Sequence, residues 1–384
     1  MVGGGAGEGK EVGLRRVPDF SFLRIQVRLL PMKSGYIFGL VVGLASQGVL
    51  SAAELLKSPD GKVEVTLSLS EGQPVWAVSY EGKEILKQGA LEILHGDEKP
   101  FVFEQEKFET KMVDEKWKPL GPVEGGEDEV RNHYQEGIWL LLGEKAKETT
   151  YRIRVYDQAV ALRSLVKQPT EKTTDRVQFH FAFPVPLPEH PVETPFEVTG
   201  PEGPALSILE ASGWHQPFFQ LVAAGENTLQ TVAEPVSWSF DEAASSWRVL
   251  AFDHKPGDRL LENLNPPSQI QDLSWIQPER DFVIYSAGPG LSLPEFDRQG
   301  APVLALSLND LMKAEPRKLL KEWAGKGLAG LTFTDVPGEK QKAIHQMRDV
   351  VMAAAAAKLV VLPGAHQLKE TGGRRTWPNS LPNK

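Results

Sequence analysis

Val63-Glu64-Val65-Thr66-Leu67-Ser68-Leu69 alternates apolar and polar residues without a break. A period of two puts the four apolar side chains on one face of an extended strand and turns the other face to water. Pro59-Asp60-Gly61 just ahead of it is turn chemistry that sets where the strand starts. Similar runs recur at Val75–Tyr80, Ile138–Leu142, Tyr151–Tyr156, Val160–Val166, Val177–Phe183, Phe218–Val222 and Trp247–Phe252. Many strands with few helical stretches between them predict a large β-sandwich. Pro184, Pro186, Pro188, Pro191 and Pro195 make a stiff loop inside this region, not a domain boundary.

Beyond Asp272 the pattern changes. Phe282–Ser286 and Pro302–Leu306 read as strands. Pro316 suits the first turn of a helix whose apolar face is Leu319, Leu320 and Trp323, and Gly325 and Gly327 stop it. Leu331–Thr334 is a short strand, Asp335–Gly338 a loop, and Leu359–Leu362 a further strand closed by Pro363-Gly364. Between them Ile344, Met347, Val351 and Ala355 recur at three to four residues, one face of a helix. Strand, helix, parallel strand is the β/α crossover unit. Four readable strands are about half of a closed (β/α)8 barrel, which takes ~250 residues. The expected architecture is an all-β, supersandwich-like domain over 54–271, followed by an incomplete β/α barrel of the TIM type over 272–384. In such units reactive groups lie just past the C-terminal strand ends, here Thr334-Asp335 and Pro363–His366. The run from Lys369 to Asn379 that follows is too polar and turn-rich for core.

Composition narrows the function classes. The chain has 384 residues, 41% hydrophobic and 24% charged, an ordinary globular balance with room for two domains. A net charge of −9 with no basic tract argues against a nucleic-acid partner. Zero cysteines exclude disulfides, thiolate nucleophiles and cysteine-ligated zinc. The 8 histidines are dispersed, which argues against a zinc site.

At the N-terminus, Gly4–Lys10 nearly spells a phosphate-binding loop, but Glu11 stands where Ser or Thr is needed and no strand precedes it. Met32-Lys33, the apolar run Tyr36–Leu44 and then Ser51-Ala52-Ala53 have the order of a secretory signal peptide. The expectation is a signal over 32–53, preceded by an upstream extension over 1–31, with cleavage after Ala53. No apolar run would then span a bilayer, and the protein is expected to be periplasmic or secreted.

Several segments together resemble one known family. Gly327–Asp335, Lys358–Ala365 and Thr371–Asn379 follow the barrel of glycoside hydrolase family 97, bacterial α-glucosidases and α-galactosidases. Ser58–Lys62, Glu129–Tyr134, Val155–Arg163, Leu264–Pro267 and Asp272–Ile276 follow, in the same order, its N-terminal sandwich and the approach to the barrel. The resemblance covers Ser58–Asn379, and its implied fold is a sandwich packed on a (β/α)8 barrel.

The same resemblance supplies site candidates. The nucleophile of the family's retaining branch is the Asp of a Lys-Val-Asp-Phe strand end, which falls on Thr334; Asp335, one residue later, is the candidate catalytic carboxylate, with a turn or helix cap as its alternative. The family's His falls on Pro363, and His366 stands three residues on as a substitute. Arg375 and Trp377 retain the family's Arg-Thr-aromatic-Pro-Asn pattern and suit sugar contact or packing against the sandwich. Glu210 matches a sandwich glutamate that ligates calcium in the family; calcium takes six to eight oxygens, so the cage is expected to be incomplete. Glu370 reads as a surface charge. The resemblance thus implies a carbohydrate partner, an α-glucoside or α-galactoside, and a hydrolytic site that is impaired. The alternatives are a non-catalytic carbohydrate- or partner-binding protein, or a truncated gene fragment.

Overall fold

Tight turns fix the first strands. β1 (Glu54–Lys57), β2 (Val63–Ser70), β3 (Gln73–Tyr80) and β4 (Lys83–His95) run antiparallel in sequence order. Glu71-Gly72 and Glu81-Gly82 join the last three as two-residue hairpins with φ positive at both positions, 52° and 77°, then 50° and 76°. That is the hairpin geometry whose twist matches the strands, and glycine adopts it without strain.

The computed structural model describes residues 53–96, 99–119, 129–143, 147–170, 172–199, 205–212, 219–233, 242–252, 259–268, 270, 272–277, 280–297, 299–335, 340–362, 375, 376, 378 and 379. The signal-like segment 32–52, His366, Glu370 and Trp377 lie outside the described residues.

The remaining strands of the first half are β5 (Phe103–Trp117), β6 (Val130–Gly143), β7 (Glu148–Tyr156), β8 (Ala159–Lys167), β9 (Thr173–His180), β10 (Val192–Glu193), β11 (Phe196–Val198), β12 (Leu206–Ala211), β13 (Phe219–Gly225), β14 (Thr228–Ala233), β15 (Glu242–Ala244) and β16 (Trp247–Ala251). They form two antiparallel sheets, ordered β1-β2-β3-β4-β9-β14-β13-β10 and β11-β12-β16-β8-β7-β6-β5, with β15 also on β8. Val63, Val65, Leu67, Trp139, Leu141, Ile153, Val155, Phe179 and Phe219 fill the layer between the sheets. The sandwich read from the alternating runs is therefore present.

Strands β8, β12 and β16 are buried on both faces. Their second face carries Ala159, Ala161, Leu209, Ala211, Val249 and Ala251, which pack with Leu260 and Leu264. The small residues let α1 (Leu260–Leu264) approach the sheet closely.

The second half is a four-stranded parallel sheet, β17 (Phe282–Ser286), β18 (Ala301–Ser307), β19 (Gly330–Asp335) and β20 (Val360–Val361), paired in sequence order. Between β18 and β19 lie α2 (Leu308–Lys313) and α3 (Pro316–Gly325); α4 (Lys340–Ala356) lies between β19 and β20. Among the described residues no α-helix joins β17 to β18: after a 3-10 turn at Pro289–Leu291, Leu291, Leu293 and Phe296 pack onto the sheet's core in its place. That core holds Leu304, Leu306, Leu320, Trp323, Leu331, Phe333, Val350 and Val351. Among the described residues no helix is long and apolar enough to cross a membrane.

Candidate functional site

The C-terminal ends of β17, β18 and β19 bring Ser286, Ser307, Thr334 and Asp335 to one rim of the parallel sheet. Leu331 and Phe333 face the helices, so simple alternation would turn Thr334 to the other face and Asp335 back toward the helices. The register supplies the reason for Asp335's position. Leu306 pairs with Phe333, but Ser307 pairs with Asp335, so Thr334 is an extra residue in the ladder and its side chain is exposed. A bulge of this kind re-aims the residue that follows it.

Re-aimed, Asp335 reaches the start of α2. Its Oδ1 accepts the Leu308 amide at 2.8 Å and its Oδ2 accepts the Ser307 hydroxyl at 2.8 Å. The Ser307 hydroxyl in turn accepts the Asp310 amide at 3.3 Å, as the side-chain cap of α2. Two cap oxygens thus serve two of the helix's otherwise unpaired first-turn amides. The cap that Asp335 makes is on a preceding helix, α2. The Asp310 carboxylate is held separately, by Lys313 Nζ at 2.8 Å. Both oxygens of Asp335 thus serve one helix end, whereas a glycosidase needs two carboxylates facing each other across the sugar.

Arg375 lies elsewhere. Only 9% exposed, it donates from Nη1 to the carbonyls of Asn263 (3.1 Å) and Asn265 (3.2 Å), and from Nη2 to Glu115 Oε1 (3.1 Å). Its guanidinium sits 4.9 Å from the centroid of Trp117, whose indole N–H donates to Asn263 Oδ1 at 2.7 Å. Asn132 also donates to Glu115, at 2.7 Å, and with Arg375 it draws the Glu115 carboxyl below the usual glutamate range despite partial burial. Of the two roles open to Arg375, the geometry is that of packing against the sandwich. Nothing in the sequence pointed to Glu115, Trp117 or Asn263, because their partner is more than a hundred positions away.

Glu210 is 1% exposed, and its Oε1 accepts the Phe219 amide at 3.4 Å. Leu206 and Ile208 on the same strand belong to the layer between the sheets, and Phe219 belongs to that layer as well. Alternation places Glu210 with them, opposite Arg248 in register. Among the described residues no three His, Asp or Glu side chains gather as a metal site. Among the described residues Glu210 contributes one buried carboxylate, where a calcium ion takes six to eight oxygens.

Comparison with known proteins identifies one domain and the fold. Residues 56–186 match the sequence profile of Glycosyl-hydrolase 97 N-terminal. The fold is similar to that of a Glycoside Hydrolase Family 97 enzyme from Pseudoalteromonas sp. strain K8 solved in complex with acarbose, at 14% identity and a TM-score of 0.68, over 85% of this chain and 68% of that one. A variant of a family 97 enzyme from the same strain, in complex with panose, gives 13% identity and a TM-score of 0.67 over the same shares. A β-arabinopyranosidase gives 16% identity and a TM-score of 0.62, over 85% of this chain and 69% of that one. A Glycosyl-hydrolase 97 N-terminal domain is thus shown over residues 56–186, about a third of the chain, within a fold shared with family 97 enzymes.

Proposed function

We propose that this is a secreted, carbohydrate-binding protein of the glycoside hydrolase 97 type whose own hydrolytic site is impaired. Its parallel sheet is read as the opening part of a β/α barrel, with the sugar at the C-terminal rim. The observation that carries the reading is Asp335. It is the carboxylate nearest the family's nucleophile slot, and both its oxygens are committed to the cap of α2. Thr334, in the slot itself, is an exposed hydroxyl on the bulge. A glycosidase needs an acid and a second carboxylate held roughly 5–10 Å apart across the sugar. Loss of one such group typically lowers the rate by several orders of magnitude.

The ligand class is an α-glucoside or α-galactoside, supported by the sugar complexes of the similar enzymes. The β-arabinopyranosidase adds a third glycoside to examine. The test combines turnover of nitrophenyl α-glucoside, α-galactoside and β-arabinopyranoside with calorimetric titration of the free sugars, each with and without calcium. Binding without enzyme-like turnover, and without a calcium effect, is expected. Turnover abolished by Asp335→Asn overturns the proposal and makes Asp335 the nucleophile. Neither binding nor turnover favours a partner-binding protein or a fragment.

A further inference from the structure

We infer that the segment Arg375–Asn379 is a latch that makes the sandwich and the parallel sheet melt as one cooperative unit, with the Arg375 guanidinium as its bolt. Arg375 binds the carbonyl of Asn263 in α1, that of Asn265 just past its end, and one carboxylate of β5, at Glu115. The next residue continues the attachment: the Thr376 hydroxyl donates to the Pro266 carbonyl at 2.7 Å. Three residues later the chain grips the other half. Asn379 is fully buried; its Nδ2 donates to the carbonyls of Val351 in α4 (3.1 Å) and Leu359 (3.4 Å). Its own carbonyl accepts the Val361 amide of β20 at 2.8 Å. Arg375 and Thr376 therefore hold β5, the end of α1 and the residues after it, and Asn379 holds α4 and β20.

The bolt's chemistry is specific to arginine. A planar fork of donors meets two carbonyls and a carboxylate in fixed directions while its face lies on Trp117. Lysine has the charge but neither the fork nor the flat face. Domains joined by a limited interface move and melt separately unless something couples them.

The experiment compares the full chain with Arg375→Ala, Arg375→Lys and the milder Glu115→Gln, by calorimetry and by amide hydrogen exchange. The unaltered chain is expected to melt in one transition. Arg375→Ala and Arg375→Lys should melt in two, and exchange at Leu304, Leu306, Leu331 and Phe333 should speed up at least tenfold while Leu162 and Val249 are unchanged. Glu115→Gln keeps the two carbonyl bonds and should show the same pattern more weakly. Two transitions in the unaltered chain overturn the latch. So does a single transition in Arg375→Ala with exchange faster in both halves alike, which is ordinary destabilisation, or wild-type behaviour of Arg375→Lys. Should Arg375→Ala fail to fold, Glu115→Gln decides by the same exchange comparison.

Discussion

Two carboxylates bound to structural partners dominate the residue scale. Asp335 holds the first amide of α2, and a cap of this kind contributes about 0.5–2 kcal/mol. Asp335→Ala should lower the stability of the parallel-sheet half by that amount in urea denaturation; no loss would show that the cap is dispensable and the carboxylate free for other work. Glu136 is wholly buried, and Lys111 (2.8 Å), Arg154 (3.0 Å) and Arg152 (3.3 Å) converge on it. Burial alone pushes its carboxyl up, but these three cations outweigh burial and hold it below the usual glutamate range. A depressed folded value means the stabilisation is complete above the unfolded value and is lost as pH falls through the folded one. Glu136→Gln should therefore cost about 3–5 kcal/mol at neutral pH, since it strands the largely buried Arg154, and the variant and wild type should converge in acid. A gap that persists unchanged at low pH contradicts an ionic role. Sequence reading located Asp335 and Arg375 but left each between a site and a structural role. What separates the roles is the partner: Ser307 and Leu308 for one, Glu115 and Asn263 for the other, and none of these is implied by the neighbouring letters.

At the scale of the element, alternation was legible wherever one face is buried and the other wet, as in β2 with Val63, Val65 and Leu67 at 0% exposure. It failed at both extremes. β5 is a sheet edge exposed on both faces over most of its length, so Phe103–Trp117 reads as polar, and its pairing with β6 is what makes it a strand. β12 is buried on both faces, so Leu206–Ala211 shows no period. In α4 the buried stripe is Met347, Val350, Val351 and Ala354, one position from the expected Ala355. Close approach between elements also leaves little trace in a sequence. A Cβ at Gly89 in β4 would lie 2.3 Å from the Gln178 carbonyl of β9, the same oxygen that accepts the Trp76 indole N–H at 2.9 Å. Backbone cannot yield there without opening the β4–β9 junction. At Gly61 a Cβ meets nothing within 4 Å and only the positive φ of 76° opposes it, about 1–2 kcal/mol. Gly89→Ala should shift the denaturation midpoint further than Gly61→Ala, by roughly 3 kcal/mol in all. The reverse ranking would mean that the two strands are free to part.

At the scale of the whole molecule, the change of period near Asp272 lies between β16, in an antiparallel sheet, and β17, in the parallel one. The attachment between the halves was not legible, because it depends on Arg375 meeting a connection 110 and 112 positions earlier. The remaining question at this scale is where the protein works, and it yields a final prediction. Met32-Lys33, the apolar Tyr36–Leu44 and Ser51-Ala52-Ala53 carry the charged start, apolar middle and small-residue site of an export signal. Cleavage after Ala53 would release a chain beginning at Glu54, the first residue of β1. β1 pairs with β2 through all four of its residues, from Glu54 opposite Leu67 to Lys57 opposite Glu64, so such a cut leaves every described strand whole. A cut a few residues later would remove the edge strand and expose Val65 and Leu67, and export would then compromise the sandwich. Expressed in a Gram-negative host from Met32, the protein should appear in the periplasm, and sequencing of its N-terminus should begin Glu54-Leu55-Leu56. Recovery of the chain in the cytosol with Met32 intact would remove the basis for secretion and move the carbohydrate reading to an intracellular sugar.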